Sequence, residues 1–145
     1  MLNSHRGQVA FPGGGIDPKD PGPLEAALRE SHEEIGLDPR HVRVLGQLDQ
    51  VTAAADYLVT PFVGLIPFPY EFRLNPAETA AIFSVPISAL LDPKFFSAEP
   101  RFSTRRSDPI YHFHYQGWDI WGATARIIKQ LLELAYDFET QEHLD

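Results

Sequence analysis

A chain of 145 residues is the size of one domain, and folded as a unit it would bury roughly 68% of the surface its unfolded form exposes. With 43% hydrophobic and 22% charged residues the composition is globular, which excludes a disordered, collagen-like or coiled-coil chain. A formal net charge of -8 disfavours nucleic-acid binding, and the lack of cysteine excludes disulfides, a thiolate nucleophile and thiolate zinc sites, so any metal must sit on carboxylates or histidine.

Met1 to Gln8 is polar and holds no signal-peptide core, and no apolar run approaches the roughly 18 to 20 residues of a membrane span. The expectation is a cytoplasmic single domain over residues 1–145 with no membrane partner. A short apolar stretch, Gln8 to Phe11, leads into a tightly turned Gly- and Pro-rich loop from Pro12 to Pro23. Leu24, Ala27, Leu28, Ser31 and Ile35 then recur at helical spacing, with Pro23 suited to the first turn and Gly36 to a left-handed exit. Val42 to Leu48 and Tyr57 to Ile66 read as strands, the second bent at Pro61. Ala77 to Phe83 and Ile87 to Leu91 read as short helical turns, Ile110 to Tyr115 as a strand, and Ala123 to Phe138 as an amphipathic closing helix. Helices and strands mixed in this way predict an α/β or α+β fold.

The helix after the glycine loop carries RESHEEIGL from Arg29 to Leu37, in which Glu30, Glu33 and Glu34 stand three and four residues apart and crowd one face. Like charges so spaced repel, and carboxylates without soft ligands suit a hard Mg²⁺ or Mn²⁺ ion; a solvated acidic face is the plainer alternative. FPGGGID immediately before the helix favours the metal, because glycines let the backbone come close and lend carbonyls to an oxygen shell.

These residues resemble the Nudix box, G-x5-E-x7-REUxEExGU, with Arg29, Glu30, Glu33, Glu34 and Gly36 at its fixed positions and Leu37 at its last hydrophobic one. Ser31 replaces a hydrophobic residue, the spacing from Gly14 to Arg29 is one longer, and Asp17 and Asp20 stand where the box has its first Glu. RGQVAFPGG with that longer loop, together with DYLVTPFVGLIP, ETAAIFSVPISALL and DIWGATARII, resembles the coenzyme A pyrophosphatase branch over nearly the whole chain.

The resemblance implies an α/β/α sandwich with a mixed sheet, and metal-dependent hydrolysis of coenzyme A or a derivative to 3′,5′-ADP and 4′-phosphopantetheine. It also implies that Glu33 and Glu34 are the principal Mg²⁺ or Mn²⁺ ligands and that Glu30 is a ligand or the base. A Gly14 or Gly15 carbonyl would complete the shell, and Arg29 would pair with Glu33. Glu78 is a second candidate at the site, equally readable as a surface residue, and Arg6 beside the glycine loop is the candidate for substrate phosphate. Other readings are hydrolysis of a different nucleoside diphosphate derivative such as ADP-ribose, or a non-catalytic nucleotide-binding module. Because the glycine loop begins at residue 13, the resemblance further implies missing N-terminal strands and exposed apolar faces on the box helix, relieved in a longer chain or in a homodimer.

Arg101, Arg105 and Arg106 read as a solvated basic loop before they read as a phosphate site. His112 and His114 alternate on one strand face and read as a half-exposed strand before a metal pair. Trp118 and Trp121 are expected to flank a turn and to pack, and His32 to face solvent.

Overall fold

The computed structural model describes residues 8–100 and 109–138. The first helix, α1 (Pro23–Ile35), begins with Pro at its first position, where a missing N–H leaves no bond unmade. It ends at Gly36, whose φ of 68° is the left-handed exit. The Gly36 N–H donates to the His32 carbonyl at 3.0 Å and the Leu37 N–H to the Ser31 carbonyl at 3.4 Å. Ser31, the polar departure from the box, is buried without penalty because its hydroxyl donates to the Ala27 carbonyl at 2.7 Å.

Strands β1 (Arg43–Gln47) and β4 (Phe62–Leu65) pair antiparallel, as do the short β2 (Val51–Thr52) and β3 (Leu58–Val59). The run expected from Tyr57 to Ile66 is therefore two strands, divided at Thr60 and Pro61 where proline withdraws a ladder donor. A four-residue helix α2 (Ile87–Leu90) precedes a three-stranded antiparallel sheet, β5 (Phe96–Glu99), β6 (Ile110–Tyr115) and β7 (Trp118–Trp121), and α3 (Ala123–Ala135) follows. The mixed helix-and-strand class is thus observed, with β1–β4, β2–β3, β5–β6 and β6–β7 each paired antiparallel.

Two expectations need correction. Ala77 to Phe83 is not helical; only a turn forms at 76–78, because Asn75 accepts the Ala77 N–H and Thr79 turns its hydroxyl to the Glu34 carbonyl. Trp118 and Trp121 do not flank a turn; they bound β7, and the turn lies before them at Gln116 and Gly117.

Alternation along β6 sends Tyr111 and Phe113 inward, where they meet Ile120 of β7 and Ala125, Ile128 and Leu132 of α3. Phe96 packs on Phe113 with ring centroids 5.0 Å apart, and Phe83 stacks on Trp118 at 4.8 Å, so Trp118 is a packing residue. The stretch before the glycine loop is tied to this core, since Val9 is buried in it and its carbonyl accepts from the Thr124 hydroxyl at 3.0 Å. The sheet of β1 and β4 is more open: β1 is exposed along its whole length, and Leu45 and Leu65 are over half exposed. Between this sheet, α1 and α3 runs a groove of about 1350 Å³ lined by apolar side chains including Leu28, Val44 and Leu131.

Candidate active site

The glycine loop and α1 are clamped by one side chain. Arg29 grips Asp20 through Nε and Nη2 at 3.0 and 2.9 Å, reaches Glu30 Oε1 through Nη1 at 3.0 Å, and donates to the Gly15 carbonyl at 3.2 Å. The expected pairing with Glu33 exists, but at 3.3 Å it is the longer contact. Asp20, where the general box has no aspartate, is therefore the counter-ion of the box arginine. The guanidinium and the Asp17 N–H together hold its carboxyl below the usual range.

Glu34 is the buried member of the set, 7% exposed, and the Gly13 N–H donates to its Oε2 at 3.1 Å. Burial raises its pKa, and the carboxylates of Glu30, Glu78 and Glu33 raise it further; against the opposing Gly13 hydrogen bond it is pushed up to about 7. Gly14 backs the adjoining wall: a Cβ there would lie 2.5 Å from Glu30 Cδ, so only glycine lets Glu30 keep its position.

Glu78 joins from 44 residues downstream because the segment before it caps α1. The Arg73 N–H donates to the Ile35 carbonyl at 2.8 Å and the Asn75 N–H to the Glu34 carbonyl at 3.0 Å, satisfying the helix end. The turn that follows brings Glu78 to Glu30 and Glu34, and one oxygen from each of the three lies within 4.8 Å of the other two. Glu33 stands outside this trio, half-exposed and held by Arg29. His32 faces solvent.

Three carboxylates gathered around one buried member fit a hard divalent cation, which would offset the charge that now raises the Glu34 pKa. The Gly15 carbonyl, one of two expected to complete such a shell, is engaged by Arg29. Arg6, Arg101, Arg105 and Arg106 lie outside the described residues. Asp20 and Glu78 are the partners that sequence reasoning left least defined. The Asp17 and Asp20 substitution signalled the first, whereas the second depends on a helix cap that has no local motif.

A glycine loop leading into a helix of converging glutamates defines a hydrolase of the Nudix class, and comparison with known sequences agrees. The family model described as NUDIX domain matches residues 2–106. A protein of Photorhabdus laumondii described as uncharacterized Nudix hydrolase NudL is 45% identical over 132 residues, covering 91% of this chain and 71% of that one. The protein of the same description from Escherichia coli K12 is 37% identical over 130 residues, covering 90% and 68%. The chain belongs to the Nudix family, whose members act on small molecules and generally use a divalent metal. Among the described residues no helix is long and apolar enough to cross a membrane.

Proposed function

We propose that the protein is a Mg²⁺- or Mn²⁺-dependent pyrophosphatase that cleaves the diphosphate of coenzyme A or a derivative. The observation that carries this reading is the meeting of Glu30, Glu34 and Glu78 beside Gly13 and Gly14. A diphosphate is repelled by a protein of net charge -8, so the site must offer it bound cations before it can hold it.

Glu34 and at least one of Glu30 and Glu78 would hold the metal, with Glu33 entering when it leaves Arg29. A bound divalent ion supplies charge to offset that developing on the phosphate oxygens, and lowers the pKa of the attacking water. Water attacks one phosphorus, the bridging P–O bond breaks, and the bridging oxygen leaves on the other phosphate. The proton lost by water passes to Glu30 or Glu78, whichever carboxylate is free to receive it. Arg29 does not touch substrate in this scheme; through Asp20 and the Gly15 carbonyl it fixes the loop against the helix. On coenzyme A the products are 3′,5′-ADP and 4′-phosphopantetheine.

The choice of coenzyme A rests on the resemblance of the longer glycine loop and its aspartates to the coenzyme A branch. Initial-rate kinetics with coenzyme A, dephospho-coenzyme A and ADP-ribose test it. A kcat/KM highest for coenzyme A and at least tenfold lower for the dephospho form supports recognition of the 3′-phosphate. Equal values, or preference for ADP-ribose, refute that choice and leave a pyrophosphatase of another nucleoside diphosphate derivative. Metal binding without turnover of any of the three would indicate the non-catalytic module.

A further inference from the structure

On the outer face of the β5–β6–β7 sheet lies a second group of metal-ligating side chains, on elements separate from the carboxylate trio. Alternation sets Ser97 and Glu99 of β5, His112 and His114 of β6, and Asp119 of β7 on the face opposite the core. The register pairs His114 directly with Asp119, and places His112 diagonal to both Asp119 and Glu99.

The two imidazoles are oriented alike. Their rings stack nearly parallel, 7° apart in plane with centroids 5.9 Å apart. Both Nε2 atoms point to β5, that of His112 to Glu99 Oε2 at 3.0 Å and that of His114 to the Ser97 hydroxyl at 3.4 Å. Both Nδ1 atoms point to β7, lying 2.9 and 3.8 Å from the same Asp119 oxygen. His112, Asp119 and His114 each present a ligand atom within 4.8 Å of the other two.

We propose that His112 Nδ1, His114 Nδ1 and Asp119 form a binding site for a borderline divalent transition metal, Zn²⁺ being the best-fitting ion, with Glu99 orienting His112 from behind. Ligands about 2.0 to 2.1 Å from a tetrahedral zinc stand ~3.4 Å from one another. The Asp119 separations are 2.9 and 3.8 Å and all three ligand atoms lie within 4.8 Å, so they would close on an ion by side-chain rotation. Two imidazoles and one carboxylate favour zinc over magnesium, which seeks an all-oxygen shell. A carboxylate on the far nitrogen of a ligating histidine is the usual way a protein fixes tautomer and ring direction, and Glu99 holds that place. The ion would join β6 to β7 just ahead of α3 and leave at least one position open to water or a further ligand.

Isothermal titration of tag-free protein with Zn²⁺ in saturating Mg²⁺ tests the proposal, beside His114→Ala, Glu99→Gln and Glu34→Gln. His114 is half-exposed, so its replacement leaves the fold intact. One equivalent of Zn²⁺ is expected, weakened at least tenfold by His114→Ala and about tenfold by Glu99→Gln, and unchanged by Glu34→Gln. Long-range ¹H–¹⁵N spectra of the parent should show zinc-dependent shifts at Nδ1 of both histidines. Absence of Zn²⁺ binding in Mg²⁺, binding indifferent to His114→Ala, or imidazole signals unmoved by Zn²⁺ would overturn it and leave a hydrogen-bonded surface cluster.

Discussion

Replacing Glu34 with Gln should stabilise the metal-free protein while abolishing its activity. In the fold the Glu34 pKa rises from 4.5 to about 7, so between these values the folded chain binds more protons than the unfolded one. Stability is then full below about pH 4.5, falls as pH rises through 7, and levels off above it. At ~1.4 kcal/mol per pH unit the difference amounts to at most ~3 kcal/mol at pH 8. Glutamine carries no charge to desolvate, keeps an oxygen for the Gly13 N–H and removes repulsion from Glu30 and Glu78. Urea unfolding in EDTA at pH 5 and pH 8 is the assay. The variant should gain ~1 to 3 kcal/mol over the parent at pH 8 and little at pH 5, and Mg²⁺ should narrow the gap by stabilising the parent alone. A variant less stable than the parent at pH 8 in EDTA, or a parent that gains stability between pH 5 and 8 through Glu34, would refute the reasoning.

Gly14→Ala pushes a methyl against Glu30 but meets only a flexible side chain, so stability should change by less than ~1 kcal/mol while kcat/KM falls ~10- to 100-fold, as read by denaturant titration and initial rates. Arg29→Lys cannot span Asp20, Glu30 and the Gly15 carbonyl together; faster hydrogen exchange from Gly13 to Asp20 is expected, and unchanged exchange would count against the clamp. Glu78→Gln should lower kcat at least ~100-fold with unfolding temperature preserved, and a variant retaining full turnover would remove Glu78 from the site. Phe113→Ala, at a position only 1% exposed, should cost ~3 to 5 kcal/mol in urea unfolding.

What the sequence made legible was local. The 3.6-residue period, Pro23 and Gly36 mark α1 at its observed ends, and the alternation of IYHFHY marks β6 at its own. Glu30 and Glu34 are legible for the same reason, since i and i+4 on a helix are neighbours wherever the helix sits. The strand β5 was not foreseen, because FSAE offers one large apolar residue and its strand character comes from pairing with β6. The helical reading of Ala77 to Phe83 failed because the Asn75 N–H and the Thr79 hydroxyl both donate to the Glu34 carbonyl at the end of α1, which holds the segment to a single turn there. That same long-range cap is what carries Glu78 to the carboxylates, so the trio could not be completed from spacing alone. The grip of Arg29 on Asp20 likewise depends on how the glycine loop folds back, whereas Glu33, the partner expected from helical spacing, is the weaker contact.

The most direct test of the central claim is mass spectrometry of the products formed when the purified chain is incubated with coenzyme A and Mg²⁺ or Mn²⁺, beside Glu34→Gln and an EDTA control. Formation of 3′,5′-ADP and 4′-phosphopantetheine by the parent, and by neither control, is the expected result. The same products from Glu34→Gln, or undiminished turnover in EDTA, would contradict a metal-dependent site built on these carboxylates.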